Sequence, residues 1–403
     1  MFVYVTQVFS ETRSYFCHTH APAVTQMMKT KHRLCAFLLI FGGCALFYFT
    51  FWSKTLHSPK DTVNQALVAD HSQHTSNDSG KGRSVAVNEK TSSDKKNATA
   101  ERDTSKNSSF ISEKLVQAAT AIAEKRGLVL FSVLNDAYFD LAASWLCNTA
   151  PLGDIHHHVL FLSTDMVTGQ RLQNKWPNIT VVSMRTSSFS GAQEYSKAGY
   201  VRLMVERTRF ILHLVQSGLR LLLFEVDFVW LVDPLPTVLS QSNHTKADIV
   251  ATRIHGLPTM VCGCFLLLNP TQVTIHLWTQ LTQKMDKLYE QIAGRSASAG
   301  VSEGTNDQTF LSALLHQKYG GVQVAILPEA LFPDGRWYTK PELRAAKSAP
   351  LIIHNNWVIG NAAKIRRAKK FNHWFLSKDS TKSNIVCNMT AVRDLIPRRS
   401  ETA

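Results

Sequence analysis

The sequence contains no G-x-S-x-G and no H-E-x-x-H, which removes the local signatures of an α/β serine hydrolase and of a zinc metalloprotease. It also lacks a second cysteine pair at metal-ligand spacing from Cys262-Gly-Cys264, so that pair reads as structural and not as half of a zinc site. Acidic residues are outnumbered: 30 Asp and Glu stand against 44 Lys and Arg, a formal charge of +14. The basic residues are spread along the chain, and no dense basic block is interleaved with aromatics, which argues against a nucleic-acid surface. A polyanionic ligand accounts for the excess equally well, as does plain surface solvation.

Charge is missing altogether from Leu34 to Trp52, LCAFLLIFGGCALFYFTFW, a run about long enough to cross a bilayer as one helix. The competing reading is a cleaved signal peptide, whose apolar core is usually about 7–15 residues and lies nearer the N-terminus. Arg13, Lys29, Lys31 and Arg33 precede the run and Lys54 and Lys60 follow it, a modest basic bias toward an inside N-terminus. Tyr48 and Trp52 suit an interfacial belt, and the expectation is a single-pass type II membrane protein with a tail over residues 1–33. Sequons at Asn77, Asn97, Asn107, Asn178, Asn243 and Asn388 all fall after the run, as a lumenal body requires. Cys147, Cys262, Cys264 and Cys387 would then face an oxidising lumen and form up to two disulfides, with the pairing open.

Large apolar residues are scarce from 53 to 109, where Ser, Thr, Asn, Asp, Lys and His dominate. Such a stretch cannot bury enough surface to offset its ordering entropy, so it reads as a flexible stem. With 44% hydrophobic residues overall, the remainder, 110–403, is large enough for one α/β domain. Strands are expected at 127–134, 158–162, 180–183, 221–228, 248–252 and 263–268. Helices are expected at 138–147, 200–217 (stopped by Gly218) and 270–292. This alternation predicts a mostly parallel sheet with helices on both faces, whose ligands gather at the strand C-terminal ends.

Leu221-Leu-Leu-Phe-Glu-Val-Asp-Phe-Val-Trp230 is the most informative segment. Read as one strand, it puts Glu225 and Asp227 on the same face, roughly 7 Å apart. Two carboxylates at the end of a buried strand are costly unless something positive lies between them, and a hard divalent cation suits them. A solvated pair at a strand–loop junction is the alternative.

Phe224-Glu-Val-Asp-Phe-Val-Trp-Leu-Val-Asp-Pro234 resembles the nucleotide-diphospho-sugar transferase family of GT-A glycosyltransferases, which includes plant α-xylosyltransferases of cell-wall pectin. The resemblance spans about Leu128 to Trp374 and implies a GT-A, Rossmann-like fold. It further implies a UDP-sugar donor, a glycan or glycoprotein acceptor, Mn²⁺ or Mg²⁺, retention of anomeric configuration and a Golgi location. It assigns Asp227 and His354 to the metal and Gly360 and Lys364 to the diphosphate. Asp307 and Gln308 would lie beside the transferred sugar, and Asn135 and Tyr138 around the nucleotide base. Glu225 departs from the D-x-D pattern, and its extra methylene moves it toward a ribose or water contact. The bland alternatives are a buried, hydrogen-bonded His354 and an N-cap role around Asn306-Asp307. Arg202 and Arg209, seven residues apart on one helix, read as a diphosphate contact or as surface charges. A catalytically silent carbohydrate-binding scaffold on the same fold is the competing function.

Overall fold

The apolar runs become strands, and their alternating side chains feed two separate cores. In the computed structural model the described residues are 110–184, 189–345, 348–381 and 383–395, all within the unit Val87–Ala403. The apolar run at 34–52, the stretch at 53–109 and the sequons Asn77, Asn97 and Asn107 lie outside them. Among the described residues no helix is long and apolar enough to cross a membrane.

The strands are β1 (Val129–Leu134), β2 (Val159–Ser163), β3 (Thr180–Ser183), β4 (Leu221–Phe224), β5 (Phe228–Trp230), β6 (Ile249–Ile254), β7 (Leu257–Leu268), β8 (Val324–Ile326) and β9 (Ile352–His354). Seven of them form one sheet in the order β3-β2-β1-β4-β7-β6-β8. Only β7 runs against its neighbours, pairing antiparallel with β4 and β6 while the other contacts are parallel. On β1, Leu130 and Leu134 join one buried cluster with the helices Phe139–Thr149 and Leu235–Thr245. Val129 and Phe131 face the other side, under the helices Ala198–Gln216 and Gln272–Gln291. Helices therefore cover both faces, and near-continuous apolar strands are what such a sheet requires. Gly218 ends the helix Ala198–Gln216 with φ 78°, a conformation open to glycine at little steric cost.

The expected strand 221–228 is two strands. Past Phe224 the chain leaves the sheet in a turn closed by Phe228 N–H donating to the Glu225 carbonyl at 3.3 Å. It re-enters extended structure as β5, which pairs antiparallel with β9 in a sheet of its own. Glu225 and Asp227 thus flank the middle of a turn and are not alternate residues of a strand. With no main-sheet neighbour, β5 is held by a side chain: Asn148, fully buried, donates to the Trp230 carbonyl (3.0 Å) and accepts from the Trp230 N–H (2.8 Å). Asn148→Ala orphans both backbone groups and is expected to lower the unfolding free energy by about 2 kcal/mol, read from urea denaturation.

The pairing left open by the sequence is Cys147–Cys387 and Cys262–Cys264. The first bond ties the C-terminal segment to the helix Phe139–Thr149, beside the Trp145 ring that packs on Phe224 at 4.6 Å. Asn178 and Asn243 stand exposed, and Asn388 is half-buried and caps the helix Met389–Arg393.

Candidate active site

The site forms where β4 gives way to β5. Antiparallel pairing sets Phe228 opposite His354, and the Asn355 N–H donates to the Asp227 carbonyl at 3.2 Å. That register brings the imidazole to the acidic turn. The Phe228 ring stacks on it at 4.1 Å with the planes 10° apart. His354 Nε2 lies 3.3 Å from Asp227 Oδ1 and 3.6 Å from Glu225 Oε2, yet it is buried and makes no hydrogen bond. One ligand atom from each of the three residues fits within a 4.8 Å spread.

A buried nitrogen without a partner, facing two carboxylates, is what a cation-binding trio presents. The oxygen and imidazole donors suit Mn²⁺ or Mg²⁺. These residues fit the metal that the family resemblance implies.

Lys364 is the nearest positive charge. It lies in the helix Asn361–Lys370, which begins directly after Gly360 (φ 84°), and its Nζ donates to Asp227 Oδ2 at 2.7 Å. Burial alone would raise the Asp227 pKa; Lys364 and His354 overcome it and hold the carboxyl well below the usual range. Burial likewise opposes the Lys364 ammonium, and Asp227 and Glu225 more than restore it. His354 is also raised against burial, by Asp227 and Glu225. Lys364 thus sits on Asp227, with Gly360 one helical turn before it.

Tyr138 closes the turn Asp136–Tyr138 after β1. Asn361 Nδ2 donates to the Ala137 carbonyl at 2.7 Å, which ties this turn to the Lys364 helix. Burial raises the Tyr138 pKa, with Lys364 lowering it and Glu225 and Asp227 raising it, so the phenol lies within electrostatic reach of the centre. Asn135 is spent differently. It is 1% exposed, donates to the Phe189 and Gly191 carbonyls and accepts from the Ala137 N–H. Both its amide hydrogens hold a loop in place, and neither is free for a base.

Arg207 is a site residue that the sequence motifs do not single out. Its guanidinium donates to Glu225 Oε1 (3.4 Å), Asp307 Oδ2 (3.3 Å) and the Gly263 carbonyl (2.8 Å). A signal was there. Leu203, Phe210 and Ile211 are buried on the same helix, and Arg207 stands four residues after Leu203 and four before Ile211, a charge inside the apolar stripe. Arg202 and Arg209 lie off that stripe, which favours surface charges, the second of the two readings left open, over a diphosphate contact. Arg202 donates to the Ile292 and Arg295 carbonyls, while Arg209 pairs with Glu206 and Asp286.

Asn306, not Asp307, caps the helix Asp307–His316 through the Thr309 N–H. The Asp307 carboxylate is therefore free to face Arg207. Burial raises its pKa, and Arg207 offsets part of that rise. Gln308 Oε1 accepts from the Gly263 N–H at 3.1 Å, so Gly263 of β7 links Gln308 to Arg207. The structure brings Glu225, Asp227, His354, Lys364, Asp307, Gln308 and Tyr138 to one region, with Arg207 at its hub.

The family model described as nucleotide-diphospho-sugar transferase matches residues 154–368, which takes in the acidic turn, Arg207, Asp307, His354 and Lys364. The chain belongs to this family of glycosyltransferases. It is 25% identical over 283 residues to an Arabidopsis thaliana UDP-D-xylose:L-fucose alpha-1,3-D-xylosyltransferase, covering 67% of this chain and 76% of that relative. It is 24% identical over 202 residues to a Dictyostelium discoideum UDP-galactose:fucoside alpha-3-galactosyltransferase, covering 48% of this chain and 31% of that protein. Among solved structures, mouse xyloside xylosyltransferase 1 in its apo form matches at 11% identity with a TM-score of 0.37, over 57% of this chain and 98% of that one. So loose a superposition adds nothing to the assignment.

Proposed function

We propose that this glycosyltransferase moves a sugar from UDP to a glycan hydroxyl with retention of configuration, and that Asp227 and His354, joined by Glu225 in place of the ribose or water contact expected of it, hold a Mn²⁺ or Mg²⁺ ion. The unpartnered His354 Nε2 facing two carboxylates carries this reading. When bound, the ion supplies Lewis-acid stabilisation of the charge that builds on the leaving diphosphate. Lys364 then binds phosphate oxygen, exchanging one anionic partner for another. Tyr138, in the turn tied to the Lys364 helix, would stack on the base. Asp307 and Gln308, fixed by Arg207 and Gly263, orient the transferred sugar.

The Arabidopsis and Dictyostelium relatives act with UDP-xylose or UDP-galactose on fucose or fucosides and make α linkages. UDP-xylose and UDP-galactose are α-linked donors, so an α product is the outcome of retention. Fucosides are accordingly the first acceptors to try. The apolar run at 34–52 would anchor the chain in the Golgi with the catalytic body lumenal.

Calorimetric titration of the protein with UDP tests the core of this reading. Binding with Mn²⁺ present and none after chelation is the expected result. UDP affinity that ignores the chelator would remove the metal from the site, and no UDP affinity at all would point to a silent scaffold. A panel of UDP-sugars offered with fucosides then identifies the donor.

A further inference from the structure

His354 is gripped on three sides. The Phe228 ring covers one face, and the two carboxylates stand beyond Nε2. Beyond Nδ1 lie both sulfurs of the Cys262–Cys264 disulfide, at 3.7 and 3.3 Å. Residues two apart on a strand project to the same side, which is how β7 aims both sulfurs at one nitrogen. Cys262 and Cys264 are 5% and 4% exposed and His354 is 4% exposed. Water therefore has little access to settle the hydrogen bonding of this ring.

A neutral imidazole carries one ring hydrogen, and its location is set by the group that each nitrogen faces. Disulfide sulfur has lone pairs and no hydrogen, so toward Nδ1 it can only accept. We propose that the Cys262–Cys264 disulfide is a positioning group for His354: it keeps the hydrogen on Nδ1 and leaves the Nε2 lone pair aimed at the cation site between Asp227 and Glu225. Reduction removes this bias. A dithiol reductant supplies two electrons and two protons and leaves as its own disulfide; the S–S bond breaks and two S–H bonds form. A thiol donates as well as accepts, so an S–H directed at Nδ1 moves the ring hydrogen to Nε2. There Asp227 accepts it and the cation loses a ligand. The metal site is thereby coupled to the redox state of a C-x-C pair.

This inference rests on the reading that Asp227 and His354 hold a cation. Groups that orient a ligating histidine typically change metal affinity by about 10–100-fold. Mn²⁺ affinity of the full-length protein, from the signal of free Mn²⁺ in electron paramagnetic resonance, is the direct test. The oxidised protein is expected to bind about tenfold more tightly than protein reduced with a phosphine that is then removed. Cys262→Ser/Cys264→Ser, whose hydroxyls also donate, should match the reduced protein and show no further response to reductant. Equal affinity in both redox states would overturn the inference alone. So would a reductant effect that persists in the double variant, since that effect would belong to Cys147–Cys387. Absence of Mn²⁺ binding by the oxidised protein would overturn the cation reading and this inference with it. The ¹⁵N shifts of His354, identified by their loss in His354→Gln, need no cysteine variant. In the Mg²⁺-loaded oxidised protein Nδ1 should carry the hydrogen, and a hydrogen on Nε2 in that state would also overturn the proposal.

Discussion

Asp227→Asn is expected to cut metal-dependent turnover of the UDP-sugar by about a thousandfold, equivalent to about 4 kcal/mol of transition-state stabilisation. Glu225 and His354 would remain, but Asp227 is the acid that touches both other parts of the centre: His354 Nε2 at 3.3 Å and Lys364 Nζ at 2.7 Å. Its side chain is 3% exposed against 37% for Glu225, so solvent screens it least. The substitution has a second consequence that separates structure from chemistry. It strands the Lys364 ammonium, 17% exposed, and breaking such a buried pair costs about 3–5 kcal/mol of stability in the metal-free protein. Asp227→Asn/Lys364→Met removes both charges and should recover most of the stability while leaving the activity lost. Turnover within tenfold of the parent for Asp227→Asn, measured by UDP release, would rule Asp227 out as a ligand.

Arg207→Met is expected to lower the unfolding free energy by about 3 kcal/mol, with the melting temperature down by about 6–12 °C. Three acceptors depend on this guanidinium: Glu225, Asp307 and the Gly263 carbonyl. Asp307, already raised by burial, loses the charge that opposes its protonation. In its proposed role of orienting the sugar, an Asp307 carboxylate that has lost its guanidinium partner is no longer held in one direction, so kcat should fall beyond what the remaining folded fraction explains. Arg207→Lys keeps the charge but not the planar fork that reaches several acceptors at once, and should recover stability more than kcat. Steady-state kinetics and thermal melts on the same preparations check both claims. A melting temperature unchanged in Arg207→Met would show that the three contacts contribute nothing.

Most elements of the sheet were legible because each is written in a local pattern. The apolar run at 129–134, the apolar stripe of the helix Ala198–Gln216 and the stop at Gly218 need no distant partner to be recognised. The segment at 221–230 was legible in composition but not in shape. Its apolar residues promise one continuous strand, and nothing local says that β1 pairs with β4 only as far as Leu223. Beyond that point the chain is free to turn, and β9 becomes the partner of β5. Arg207 was missed because two neighbouring arginines, seven residues apart on one face, drew the reading of a diphosphate contact or surface charge, whereas the one that matters interrupts an apolar stripe.

The sequence by itself determined the fold class, since residue periodicity states how each segment hides its apolar side. It also determined the acidic pair, the histidine and lysine far along the chain, and the membership that residues 154–368 confirm. Only the tertiary structure decided how those groups meet. The Phe228–His354 register sets the imidazole against the acidic turn, the helix Ala198–Gln216 delivers Arg207 to two carboxylates, and β7 lays a disulfide along Nδ1. Apart from Arg207–Glu225, 18 positions apart, these contacts join residues at least 90 positions apart in the chain. Their energy is gained only once the sheet exists, so no local pattern has to announce them.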